Sequence, residues 1–150
     1  MREAVSASAE GVSRREGGPF GAVVVRDGRV VARAWNRVIL DQDPTAHAEV
    51  NAIREACRKL SRFHLEDCDL YTSCEPCPMC LGAVYWARLR NVYYAATRDD
   101  AARAGFCDAD LYKEIQLAPA DRTIRFVKMD ASSALAVMRE WQADAARHPY

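Results

Sequence analysis

The sequence predicts a layered α/β domain, and three observations carry that reading. Short apolar runs bounded by turn residues alternate with segments of helical periodicity, the pattern of a sheet covered by helices. Asp27-Gly28 stands between two β-branched runs as a strong hairpin signal. The 150 residues, half of them hydrophobic, suffice for one sizeable core and are too few for two ordinary ones. A single domain over residues 1–150 is therefore expected.

Residues 1–15 predict a short helix with Val5, Ala9 and Val12 on one face, broken by Gly17-Gly18-Pro19. Residues 21–26 and 29–35 are the strands of the hairpin. Asp41 to Thr45 supply turn and capping chemistry, and from His47 to Leu60 alanine, valine, isoleucine and cysteine recur at helical intervals. Asp69 to Ser73 reads as a buried strand. Pro78 to Arg88 reads as a helix, since proline is tolerated in a first helical turn. Asn91 to Ala96 is a further strand, and Ala101 to Tyr112 is mixed with no dominant period. Thr123 to Met129 predicts a fifth strand and Ala131 to Arg147 a closing helix.

Lysine plus arginine and aspartate plus glutamate number 21 each, so no overall field attracts a polyanion, and a nucleic-acid partner is not expected. The local Arg58-Lys59-Arg62 cluster reads as a solvated helix face. Residues 1–15 lack the apolar core of a signal peptide and no later run could span a bilayer, so a cytoplasmic protein without a membrane partner is expected. Of the six cysteines, Cys74, Cys77 and Cys80 follow one another at intervals of three, which suits a metal in a reducing compartment better than a disulfide framework. Cys57, Cys68 and Cys107 read as free thiols, the first two buried.

Two motifs carry the chemistry: His47-Ala48-Glu49 and Pro76-Cys77-Pro78-Met79-Cys80. His47, Cys77 and Cys80 offer one imidazole and two thiolates to a zinc ion, and a fourth position left to water marks a catalytic site. Cys77 and Cys80 lie on one face of a helix start, where the unpaired N–H groups favour thiolate. A neutral zinc site of this kind acidifies its water less than a three-histidine site, so a nearby base must take the proton; Glu49 is that residue. A Cys-x-x-Cys alone would suit a redox pair or a structural zinc knuckle. Combined with His-x-Glu it forms the zinc deaminase signature. Cys74 leaves a second arrangement open, a closed four-ligand structural site with Glu49 on the surface. Asn36 ends a strand, where its amide could pair with a base or simply form a turn. Phe20 is a ring-stacking wall or core. His64 and His148 carry no site signal.

Five blocks extend these motifs: Gly-Gly-Pro-Phe-Gly-Ala from Gly17, Asp-Pro-Thr-Ala-His-Ala-Glu-Val from Asp43, Tyr-Thr-Ser-Cys-Glu-Pro-Cys-Pro-Met-Cys-Leu-Gly-Ala from Tyr71, Tyr-Trp-Ala-Arg from Tyr85 and Ala-Gly-Phe from Ala104. Together they resemble the bacterial guanine deaminases of the cytidine deaminase-like fold. The resemblance implies a three-layer α/β/α arrangement around a mixed sheet of about five strands. It implies one Zn2+ per subunit, a small-molecule purine as partner, a homodimer, and hydrolysis of guanine to xanthine and ammonia. Carried over by position, His47, Cys77 and Cys80 hold zinc and Glu49 shuttles protons. Asn36 and Phe20 bind and stack on the purine beside His47, and Asp108 is a second acid. Cys107 departs from the family's acid at its position, and Asp110 is a nearby substitute for Asp108. Tyr150 matches a terminal tyrosine that reaches an active site, in some members through a swapped C-terminal segment; a frayed terminus is the alternative. Related amino-heterocycles (guanosine, ammeline, isocytosine, cytosine), transfer RNA adenosine and a structural zinc role are the competing readings.

Overall fold

The computed structural model describes residues 1–106 and 108–149, without the side chains of Asp108 and Ala109. Two compact units result, Met1–Lys113 and Glu114–Tyr150. The first is built on strands β1 (Gly21–Arg26), β2 (Arg29–Trp35), β3 (Cys68–Cys74) and β4 (Asn91–Ala96), in the order β2-β1-β3-β4. β1 pairs antiparallel with β2 and β3, whereas β3 and β4 run parallel. Parallel neighbours need a crossover, and helix α4 (Pro78–Trp86) supplies it. Asp27 and Gly28 both adopt positive φ, 50° and 73°, the requirement of the tight turn that their sequence predicts.

Side chains alternate across the sheet. Ala22 and Val24 of β1, with Cys68 and Leu70 of β3, meet Ala48, Ala52 and Ala56 of helix α3 (Ala48–Leu60) and Val84 and Ala87 at the end of α4 in one core. The other face of β1 belongs to helix α1 (Arg2–Ser13). A Cβ on Gly21 would stand 2.2 Å from the Ala4 carbonyl oxygen and 2.4 Å from the Ser8 nitrogen, so strand and helix approach backbone to backbone. α1 accordingly buries Ala4, Ala7 and Gly11, while Val5 and Val12 are 50% and 47% exposed. This corrects the expected face of Val5, Ala9 and Val12: at so short a separation only a stripe of small residues fits, and volume outweighs hydrophobicity.

Helices α2 (Val38–Asp41), α5 (Arg98–Arg103) and α6 (Asp108–Gln116) resolve segments that the sequence left as turn or mixed. The sheet has four strands, not five, because residues 123–129 form no strand. A strand requires a ladder partner, and the second unit contains none among its described residues. Thr123 instead donates its N–H and hydroxyl to the Glu114 carboxylate, and Ile124 and Met129 are about three-quarters exposed, at 75% and 77%. The final helix, α7 (Ser132–Ala143), is shorter than predicted. Cys68 is buried and Cys57 only half-buried; both are free thiols. Among the described residues no helix is long and apolar enough to cross a membrane.

The contact at Gly21 yields a stability prediction. Gly21→Ala forces a methyl group into the α1 backbone, which cannot rotate away as a side chain would, and should cost about 1–3 kcal/mol. Thermal unfolding should show a clearly lowered Tm, whereas Gly82→Ala, where nothing lies within 4 Å of the added carbon, should unfold at or above the unmodified temperature, since alanine is the better residue inside a helix.

Candidate active site

His47 and Cys77 each stand at the N-cap of a helix, His47 before α3 and Cys77 before α4, with extended backbone at both (φ −70°, ψ 153° and φ −67°, ψ 169°). Cys80 follows in the first turn of α4. The Sγ atoms of Cys77 and Cys80 are 3.5 Å apart, and the His47 Nδ1 lies 3.6 Å from the first and 3.4 Å from the second. The cluster thus sits where two helices begin, and the positive dipole end of a helix N-terminus favours negative sulfur. The hydrogen bond with Cys80, reinforced by His47, holds the Cys77 thiol down at about 4, while that same contact and burial push Cys80 up.

The donor set fits zinc. Two thiolates at the usual zinc–sulfur distance of about 2.3 Å from a tetrahedral ion stand roughly 3.8 Å apart, close to the separation found here. Among the described residues, His47, Cys77 and Cys80 are the three ligand-type groups that converge within 4.8 Å. Cys74 is not among them. Its thiol, at the start of the loop that leads to Cys77, points to the Thr97 carbonyl oxygen at 3.5 Å, which argues against a closed four-ligand site. That loop is itself fastened: Glu75 N–H donates to Ala96 O (2.8 Å), Arg98 N–H to Glu75 Oε2 (3.1 Å), and the Tyr112 hydroxyl to Pro76 O (2.7 Å).

Glu49 lies in the first turn of α3, only 4% exposed. Its Oε1 accepts from the Thr72 hydroxyl at 2.9 Å and its Oε2 stands 3.4 Å from the Cys80 sulfur. Burial pushes its carboxyl above the ordinary glutamate range, against the opposing pull of those contacts. A cavity of about 600 Å³ opens over the cluster, and His47, Glu49, Asn36, Phe20, Phe106 and Cys74 line it. This is the size of a small-molecule site.

Asn36 is 95% buried, and its Oδ1 accepts from the N–H of both Gly18 and Val38 at 3.2 Å. The polar edge that it offers the cavity is therefore the amide N–H pair. Gly17 makes this possible: a Cβ there would lie 2.2 Å from that oxygen. Phe20 packs on the core, as one of its two sequence readings has it, and on the cavity side it meets Phe106 edge to face, with centroids 4.7 Å apart. Phe106, Thr72 and Glu75 carried no individual signal in the sequence; Thr72 was detectable only as a hydroxyl alternating with Cys68 and Leu70 on a buried strand. Asp108 opens α6, but its side chain, like Cys107 and Tyr150, lies outside the described residues. Asp110 is exposed and pairs with Lys113 at 3.1 Å.

A mixed sheet that brings a His-Cys-Cys cluster to two helix N-termini beside a buried glutamate defines a zinc-dependent deaminase, a hydrolytic enzyme. The chain belongs to the cytidine and deoxycytidylate deaminases: residues 1–96 match the family of the cytidine and deoxycytidylate deaminase zinc-binding region. It is 51% identical over 150 residues to a guanine deaminase of Bacillus subtilis, covering all of this chain and 96% of that protein. The crystal structure of a Bacillus subtilis guanine deaminase superposes with a TM-score of 0.96 over 99% of this chain and 95% of the other. A tRNA-specific adenosine deaminase of Agrobacterium fabrum is 48% identical over 88 residues, 59% of this chain and 58% of its own length. The expected cytidine deaminase-like α/β fold is thus the fold of this protein, and zinc is the metal of its family.

The separation of Cys74 from the cluster is testable by metal analysis. Cys74→Ser should retain one zinc per chain, whereas Cys77→Ser and Cys80→Ser should each lose most of it, because a hydroxyl is a far weaker zinc ligand than a thiolate. Zinc lost equally from the Cys74 variant would establish a four-ligand site.

Proposed function

We propose that this protein hydrolyses guanine to xanthine and ammonia. The observation that carries the reading is the 51% identity to a guanine deaminase along the whole chain, not merely across the metal motifs. The cavity is consistent with it. Guanine presents two acceptors, O6 and N7, on one edge, where adenine presents an acceptor and a donor. The amide donors left free on Asn36 suit the former. Phe20 and Phe106 offer ring surface for the purine, and the chain's zero net charge supplies no general attraction for a polynucleotide.

Zinc held by His47, Cys77 and Cys80 supplies the Lewis acidity that makes water a nucleophile near neutral pH. Glu49 Oε2 takes the proton of the attacking water and delivers it to the ring nitrogen beside the amino-bearing carbon. It then carries the second proton to the departing amine, so that water and guanine leave as xanthine and ammonia. A carboxyl raised by burial is suited to receive a proton at neutral pH. Asp108 is the proposed second acid in this transfer, and Tyr150 is assigned to the substrate site of a homodimer. A cytoplasmic location accords with Cys57 and Cys68 standing as thiols rather than in disulfides.

Two measurements test this. Ammonia release should be rapid with guanine and slow with guanosine, ammeline, adenine, cytosine and cytidine, and Glu49→Gln should lower kcat by about 10²- to 10⁴-fold with zinc retained. A preference for another of these compounds would move the substrate and keep the chemistry. The dimer is supported by large apolar side chains left in solvent on each unit, Tyr85 and Trp86 (75% and 71% exposed) on the first and Ile124 and Met129 on the second. Light scattering should give twice the 16.8 kDa chain mass; a monomer at micromolar concentration would refute it.

A further inference from the structure

We propose that Thr72 is a positioning residue: its hydroxyl holds one oxygen of Glu49 so that the other is aimed at the metal cluster. The inference rests on the proton-carrying role proposed for Glu49. Among the described residues the buried polar or charged side chains are Asn36, Glu49 and Thr72. Thr72 is fully buried, on the face of β3 that also carries Cys68 and Leu70 into the apolar core against α3. Its strand neighbours in register are Ala22 of β1 and Tyr94 of β4. A valine would fill this place without taking a hydroxyl out of water, and an unpaired hydroxyl would be costly there. The hydroxyl is not unpaired. It donates to Glu49 Oε1 at 2.9 Å.

That bond divides the labour of the carboxylate. A glutamate side chain has three rotatable bonds, and in a cavity of about 600 Å³ it has room to swing away. Helix α3 fixes only the start of the side chain. Thr72, on a central strand of the sheet, fixes its end, and with Oε1 held the plane of the carboxylate places Oε2 beside Cys80, at 3.4 Å. The proton carrier is thus registered to the sheet rather than to its own flexible stem. Misplacing a reacting group by about 1 Å can cost on the order of 100-fold in rate.

The test compares Thr72→Val, which keeps shape and loses the hydroxyl, with Thr72→Ser, which keeps the hydroxyl. In the zinc-loaded protein Thr72→Val should lower kcat for guanine about 10- to 100-fold, with KM, zinc content and Tm close to the unmodified values, and Thr72→Ser should restore kcat to within a few-fold. A purely structural role would lower Tm or zinc content together with activity, and Ser would not rescue selectively. Crystal structures of both zinc-loaded variants decide the matter independently of substrate: the carboxylate of Glu49 should leave its place in Thr72→Val and return in Thr72→Ser. An unmoved carboxylate, or a Thr72→Val variant with unmodified kcat, overturns the proposal. Failure of the unmodified protein to act on guanine would instead overturn the substrate reading, and the two crystal structures would still judge Thr72.

Discussion

Two helices begin at the same place. The N-termini of α3 and α4 converge at the ends of the strands, and the cluster of His47, Cys77 and Cys80 is what their convergence makes. Holding two thiolates 3.5 Å apart in a buried place would be unfavourable without compensating positive charge, because a thiolate is poorly solvated there. The helix ends supply part of that charge through their free N–H groups and a metal ion supplies the rest. The packing of the first unit sets these two ends: the alanines of α3 hold it close to β1, and the crossover through α4 returns the chain to β4 parallel to β3.

Close approach recurs as the means by which the fold builds its site. Gly21 lets α1 lie on the sheet backbone to backbone, and Gly17 lets the loop after α1 press on Asn36 until its amide oxygen is engaged by two N–H groups. The consequence is chemical as well as steric. An amide with its acceptor taken is a donor, so Gly17, distant from Asn36 in the chain, decides the polarity that the cavity presents. The Tyr112 and Arg98 contacts do the same for the loop of Glu75 and Pro76, fastening the approach to Cys77 from the outside.

Legibility in the sequence followed the range of the interaction. The hairpin at Asp27-Gly28 was readable because the turn's positive φ values select those residue types directly. The helix beginning at His47 and the one beginning at Cys77 were readable because capping residues and apolar spacing are local. The face of α1 was misread because hydrophobicity pointed to Val5 and Val12, whereas the separation from the sheet, a tertiary quantity, admitted only Ala4, Ala7 and Gly11. The strand expected at 123–129 was misread for a related reason. Its alternating apolar residues state a tendency to pair, but a ladder also requires a partner strand.

The sequence by itself determined the chemical identities in the site: an imidazole, two thiols three residues apart and a carboxyl two residues from the imidazole. Each is fixed by spacing along a single turn of helix, where bond geometry leaves little choice. Only the tertiary structure decided which of three closely spaced cysteines stands apart, which edge of Asn36 faces the cavity and which oxygen of Glu49 is held by Thr72. Those depend on contacts between segments more than fifteen residues apart, set by how near packed backbones come, and no local spacing encodes that distance.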